Sequence, residues 1–182
     1  MLNERELITT IRAQLANWQN AKKAKKTDKN GKNRNQAPQS HRKDRLRAKW
    51  LPPPLGFVKI NFDGSVLENG GSSAGCVARN EEGKVIHIAV QKGGAASPVL
   101  VEARALRLAC IEALHLGLDS IILEGDCLTV INAALRFGQG PWEIDLLISD
   151  VRNCLAGFRE VRINHVFREA NQAVDRVASL GH

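Results

Sequence analysis

Apolar side chains crowd the stretch Phe57-Val58-Lys59-Ile60-Asn61-Phe62-Asp63-Gly64-Ser65, and Gly64 then breaks the run. Phe57, Val58, Ile60 and Phe62 are strand formers, so the pattern predicts a first strand over 57–65 that ends on an acid, Asp63. Two more strand-like runs follow, Ser72 to Arg79 and Lys84 to Val90, with Asn80-Glu81-Glu82-Gly83 between them as a hairpin turn. The period then changes. Ser97-Pro98 reads as a cap and first turn, and a helix is predicted over 99–117, ending at Gly117. Glu102, Leu106, Ala109, Ala113 and Leu116 are spaced 4, 3, 4 and 3 apart, one helical stripe that is apolar except for Glu102. Ser120 to Gly125 is short and almost wholly apolar, as a strand buried on both faces would be, and it runs directly into Asp126.

Residues 127–136 are predicted helical, Gly138-Gln139-Gly140-Pro141 breaks them, and a helix follows over 142–156. Trp142 opens that helix, and packing it is the expected role of the indole, with stacking on a sugar or base as the second reading. Val161 to Phe167 alternates as a last strand, and Ala170 to Leu180 forms a final helix carrying Asp175. The order β-β-β-α-β-α-α-β-α makes the helix-linked strands parallel to the first. It predicts an α/β fold with a mixed sheet flanked by helices.

The first 49 residues do not share this pattern. Leu7, Ile8, Ile11, Leu15 and Trp18 suit a short amphipathic helix over 4–19, but residues 20–49 offer almost nothing to a core and are expected to be disordered. Residues 1–50 hold 14 Lys/Arg against 4 Asp/Glu, whereas residues 51–182 hold 12 against 15. The basic character of the chain therefore lies in its N-terminal segment. Two readings of that segment stand: attraction to phosphates or an import signal, and a solvated linker. Trp50-Leu51-Pro52-Pro53-Pro54 imposes an extended entrance, with Trp50 packing it onto the domain. The boundary is thus drawn between a basic segment, 1–49, and a folded domain, 50–182.

Cys76, Cys110, Cys127 and Cys154 form no Cys-x-x-Cys pair, so neither a zinc site nor a disulfide framework is expected. No apolar run is long enough to span a bilayer, and Glu4, Arg5 and Glu6 stand where a secretory signal would be apolar. The expectation is an intracellular protein, nuclear or cytoplasmic, monomeric and without a membrane partner.

The candidate chemistry lies in four acids: Asp63 and Asp126 at strand ends, Glu102 on a helix stripe, and Asp175 in the last helix. Singly, each has a bland explanation; Asp126, for example, could cap the helix after it. Together they say more. The first and fourth strands would be neighbours, which sets Asp63 beside Asp126 at the carboxyl ends where such sheets place their sites, and the intervening helix would bring Glu102 down beside them. Carboxylates so close cannot all stay ionised without counter-charge. Mg²⁺ suits a ligand set of this kind, and two such ions can serve an in-line phosphodiester displacement.

Six short motifs in order carry a resemblance: Trp50 to Pro54, Lys59 to Ser65, Ala74 to Asn80, Glu102 to Leu106, Leu123 to Asp126, and Arg168 to Asp175. Over residues 50–182 the chain resembles the type 1 ribonuclease H-like domain, in the branch found in plant non-LTR retroelement reverse transcriptases and their stand-alone relatives. The resemblance implies a five-stranded mixed sheet of order 3-2-1-4-5. It implies Mg²⁺-dependent endonucleolytic cleavage of the RNA strand of RNA–DNA hybrids, leaving a 5′-phosphate, with two ions and Mn²⁺ as a substitute. Asp63, Glu102, Asp126 and Asp175 match its catalytic and metal-binding acids. Gly64, Ser65 and Ser97 fall where the substrate would be met, and His165, Arg168, Glu169 and Asn171 where auxiliary residues would stand. For His165 the strand alternation gives a second reading, as a residue of the last strand. Before Glu102, Pro98, Val99 and Leu100 replace the polar residues that would read a 2′-hydroxyl. A domesticated domain that binds nucleic acid or protein without cleavage is the alternative. Related exonucleases begin with Asp-x-Glu on the first strand, whereas this chain has Asp63-Gly64-Ser65.

Overall fold

The computed structural model describes residues 49–136 and 140–182. The predicted helix over 4–19, the basic stretch up to residue 48 and the first half of the Gly138–Pro141 break lie outside the described residues. Ten elements follow: β1 (Val58–Val66), β2 (Ser72–Arg79), β3 (Val85–Gly93), α1 (Pro98–His115), β4 (Ser120–Gly125), α2 (Leu128–Ala134), a 3₁₀ turn (Trp142–Ile144), α3 (Asp145–Leu155), β5 (Glu160–His165) and α4 (Arg168–Ser179). They build one five-stranded sheet of order β3-β2-β1-β4-β5. β1 pairs antiparallel with β2 and β2 with β3, while β1–β4 and β4–β5 are parallel. This is the predicted mixed sheet with the predicted strand order.

The two faces of the sheet differ. On one, Ile60 and Phe62 of β1, Ala74, Cys76 and Ala78 of β2, and Ile121 and Leu123 of β4 meet α1, α2 and α3 in a single apolar core. On the other, α4 lies across β1 and β2 and buries Ala173, Val174, Val177 and Ala178. The strand β4 is buried along its whole length, as its apolar sequence requires.

Local signals set the ends of α1. Ser97 is its N-cap, with Oγ accepting from the Leu100 N–H at 3.2 Å, and Pro98 opens it. At the other end Gly117 takes a φ of +65°; its N–H donates to Leu114 and that of Leu118 to Ala113, the paired closure of a Schellman motif. The helix therefore stops at His115, and Leu116, expected on the buried stripe, is 41% exposed. Trp142 also differs from expectation. A 3₁₀ turn, not the helix, begins there, and its inward residue is Ile144, so the indole is left 87% exposed. Trp50 does pack, with its ring against Lys59 and Arg79. No helix among the described residues is long and apolar enough to cross a membrane.

Candidate metal centre

The parallel register of β1 and β4 pairs Asn61 with Glu124. Two residues further along each chain stand Asp63 and Asp126, so the sheet itself brings these acids together. Asp63 belongs to β1 and is 5% exposed. Asp126 follows the end of β4; the N-cap of α2 is Cys127, so Asp126 sits ahead of the helix and its carboxylate faces the site. Glu102 comes from the first turn and a half of α1. One carboxylate oxygen from each of Asp63, Glu102 and Asp126 lies within 4.8 Å of the others.

Gly64 explains how α1 reaches so close. A Cβ on it would stand 2.8 Å from the Glu102 nitrogen and 2.9 Å from the Val101 carbonyl carbon, both backbone atoms. Only glycine lets the helix cross β1 here. The Gly64 N–H also donates to the Glu102 carboxylate. Ser65 lies next along β1, its Oγ 2.9 Å from Nε2 of His182. Ser97 Oγ, besides capping α1, donates to Glu143 at 2.9 Å.

Burial and crowding act on Asp63 and Glu102 in the same direction. Asp63 is pushed up to about 9, first by burial and then by the charges of Glu102, Asp126 and Asp175. Glu102 rises to about 8, again chiefly by burial and then by Asp126. Its Oε2 is buried and has no hydrogen-bond partner. Three hard oxygen donors, one with an unsatisfied buried atom and two driven towards the neutral form, match what a divalent cation would satisfy. The residues present therefore fit a hard metal ion.

Asp175 stands outside that trio. Its Oδ1 accepts from Arg168 Nη2 at 2.8 Å, yet its charge still reaches Asp63 and Glu102. Arg168, on the rim and largely exposed, lowers both of those carboxyls and is the site's own cation. Glu169, in the same first turn, is half-buried. His165 ends β5 opposite Gly125, and its Nε2 donates to the Asp126 carbonyl at 3.1 Å, with Phe167 edge-on at 6.1 Å. His165 is thus both a strand residue and a neighbour of Asp126.

Asn171 is 1% exposed; its Nδ2 donates to the Phe62 carbonyl at 3.0 Å and its Oδ1 accepts from Asn61 at 3.2 Å. It pins α4 to β1 beside Asp63. Asn61 belongs to a network that the acids alone do not reveal. Its Oδ1 accepts from Trp50 at 2.8 Å and Arg79 at 3.2 Å, and its Nδ2 approaches Glu124 at 3.3 Å. Glu124 pairs with Lys59 at 2.7 Å, both side chains 9% exposed. A signal for this existed in the sequence: Lys59, Asn61 and Asp63 alternate with apolar Ile60 and Phe62, which gives β1 one polar face.

Comparison with known proteins places this architecture. The family model described as reverse transcriptase-like matches residues 61–181. Among solved structures, ribonuclease H1 of the halophilic archaeon Halobacterium salinarum is 27% identical with a TM-score of 0.66, over 69% of this chain and 96% of that one. The N-terminal ribonuclease H domain of Mycobacterium tuberculosis Rv2228c, solved as a fusion with maltose-binding protein, is 23% identical with a TM-score of 0.64, over 69% and 92%. LC11 ribonuclease H1, solved in complex with an RNA/DNA hybrid, is 18% identical with a TM-score of 0.61, over 67% and 94%. No curated protein matches the chain. With two thirds of its length matched, the chain belongs to the reverse transcriptase-like family, and the described region is a type 1 ribonuclease H-like domain.

Proposed function

We propose that the chain is a metal-dependent endonuclease that cleaves the RNA strand of RNA–DNA hybrids. The observation that carries the reading is the Asp63–Glu102–Asp126 trio within 4.8 Å, with a buried Glu102 oxygen left unpartnered. The likeness to the archaeal ribonuclease H1 supports the substrate class. Asp63, Glu102 and Asp126 would hold Mg²⁺, or Mn²⁺ in its place, with Asp175 joining them if a second ion binds. Bound there, the ions supply an activated water and charge to stabilise the leaving oxygen of the phosphodiester.

The chain's own residues do the rest. The sheet fixes Asp63 beside Asp126, and Gly64 seats Glu102 against them. Arg168 offers a guanidinium at the rim, where a phosphate would approach. His165 is held at Asp126 with its ring at the site's outer edge. Asn171 locks the helix that carries Asp175 and Arg168.

A second reading has one observation in its favour: Asp175 is already engaged by Arg168, so the fourth acid is partly neutralised without a metal. On that reading the domain binds nucleic acid or protein without cleavage. The test is to incubate the full chain with labelled RNA–DNA hybrid, duplex RNA and single-stranded RNA, in Mg²⁺, Mn²⁺ or chelator. Metal-dependent cleavage confined to the hybrid, lost in Asp63→Asn and Asp126→Asn, supports the nuclease. Equal residual cleavage in those variants identifies a contaminant and sinks it; binding without cleavage selects the second reading.

A further inference from the structure

Away from the metal centre, a cleft of about 280 Å³ opens between the ends of β2 and β3 and the flank of α1. Its apolar floor is Val101 and Leu147, and its walls carry Lys92, Arg104 and Arg107. These are three of only 12 Lys/Arg in residues 51–182, gathered at one place on a region with 15 acids. Arg107 is paired with Asp150 at 2.9 Å. Among the described residues, no ion pair involves Lys92 or Arg104.

Arg104 is seated rather than loose. A Cβ on Gly93 would come within 2.9 Å of Arg104 Nη1 and 2.7 Å of Ser72 Oγ, so a bare backbone position lets the guanidinium lie there. Ser72 Oγ in turn donates to the Gly94 carbonyl at 2.6 Å, which fixes the strand end beneath it. A half-buried guanidinium with no counter-ion, beside a lysine and an open cleft, is a site for an anion with several oxygens.

Position decides which anion. Ser72 and Gly93 are paired across the sheet, and Ser72 also pairs with Val66, so the cleft lies at the same sheet end as Asp63. Glu102 and Arg104 are two residues apart on α1, about 200° around the helix, so the metal centre and the cleft occupy opposite flanks of one helix. A helix with its side chains is about 10–12 Å across. That span is within the reach of a few nucleotides of one strand, so a single strand can meet both sites. We propose that the cleft of Lys92 and Arg104 binds a backbone phosphate of the nucleic-acid strand, a few nucleotides from the one at the metal centre. This rests on the nuclease reading for the identity of the strand, not for the chemistry of the cleft.

The test measures binding of the full chain to a labelled RNA–DNA hybrid in chelator, so that cleavage plays no part. The double variant Lys92→Gln/Arg104→Gln should raise Kd about tenfold at 0.1 M salt and reduce the salt slope by about 0.9, the share of one phosphate. Arg162→Gln, a cation on β5 at the opposite edge of the sheet, should change Kd less than twofold. Gly93→Ala keeps every charge but displaces the guanidinium, and it too should weaken binding; it decides the matter if thermal melting shows the double variant unfolded. Unchanged Kd and slope overturn the proposal, as does an equal effect from Arg162→Gln, which would mean bulk charge alone. Millimolar inorganic phosphate that binds wild type but not the double variant, with hybrid affinity unaltered, would assign the cleft to a free phosphate and equally overturn it. Cleft-dependent binding by a chain that never cleaves sinks the nuclease reading and keeps the cleft; cleavage with cleft-independent binding does the reverse.

Discussion

Asp63 and Glu102 are held where a proton or a counter-ion must offset their charge, and this has a consequence for stability. Both carboxyls are raised, from ordinary values of 3.8 and 4.5 to about 9 and about 8. Between those limits the metal-free folded protein holds more protons than the unfolded chain. Stability from these groups is therefore full at the acid end and is lost as pH rises through 8 and 9. In chelator, the melting temperature of wild type relative to Asp63→Asn should fall steadily from pH 5 to pH 9. At pH 9 the asparagine variant should be more stable by about 1–2 kcal/mol. Mg²⁺ should stabilise wild type most at high pH and leave Asp63→Asn nearly unmoved. A wild-type-minus-variant difference that stays flat with pH would refute the coupling. A second residue-scale expectation concerns Lys59. It and Glu124 are both almost fully buried and paired at 2.7 Å, so Lys59→Met strands a buried carboxylate and should cost about 3–5 kcal/mol in denaturant unfolding. The double variant Lys59→Met/Glu124→Leu should recover most of that loss; if it does not, packing rather than charge is what the lysine supplies.

At the scale of elements, two glycines on neighbouring strands let helices cross opposite faces of the sheet. Gly64 admits α1, and Gly75, its diagonal neighbour on β2, admits α4: a Cβ there would stand 2.9 Å from the Ala178 nitrogen. Alanine at either position meets backbone that cannot step aside, so each should destabilise by about 1–3 kcal/mol. Their effects on metal should differ. Gly64→Ala displaces Glu102, a member of the trio, whereas Gly75→Ala presses on α4 behind Asp175. Isothermal titration with Mn²⁺ should show a larger affinity loss for Gly64→Ala at equal stability loss; equal losses would mean that helix position does not set the site. The elements themselves were legible because each carries a period: β2 and β4 have the bounds their sequences predict, and β1 is displaced by one residue. The three acids of the trio were legible because a helix-linked fourth strand lying parallel beside the first makes Asp63 and Asp126 neighbours, and the family resemblance implies that strand order. The polar network was not. Its members come from the Trp50 entrance, β1, β2, β4 and α4, and no local pattern states that Arg79 and Asn171 converge on Asn61. The Arg104 cleft was hidden for the same reason, since Lys92 and Arg104 meet only when β3 folds back beside α1. Trp142 misled because an aromatic at a helix start suggests packing, while the chain used Ile144 for that purpose.

On the scale of the whole molecule, charge is divided unevenly along the chain. The folded region, 12 Lys/Arg against 15 Asp/Glu, gathers Asp63, Glu102 and Asp126 where a metal would reverse their charge and sets Lys92, Arg104 and Arg107 around one cleft. Such a surface alone gives little attraction for a polyanion. Residues 1–50, with 14 Lys/Arg against 4 Asp/Glu, carry the opposite balance. Counter-ion release makes the two contributions separable: each phosphate neutralised adds about 0.9 to the slope of log affinity against log salt for a duplex. If the N-terminal segment supplies general attraction and the cleft supplies position, removing residues 1–49 should flatten the slope for hybrid, duplex RNA and duplex DNA alike, by several units. Lys92→Gln/Arg104→Gln should take about 0.9 from the slope for hybrid and leave any preference among the three duplexes to the folded region. Binding titrations at four salt concentrations on wild type, truncation and double variant measure all of this at once. A truncation that keeps the full slope would show the basic segment to be a linker. The folded region's acidic surface would then have to bind its substrate through the metal centre and the cleft alone.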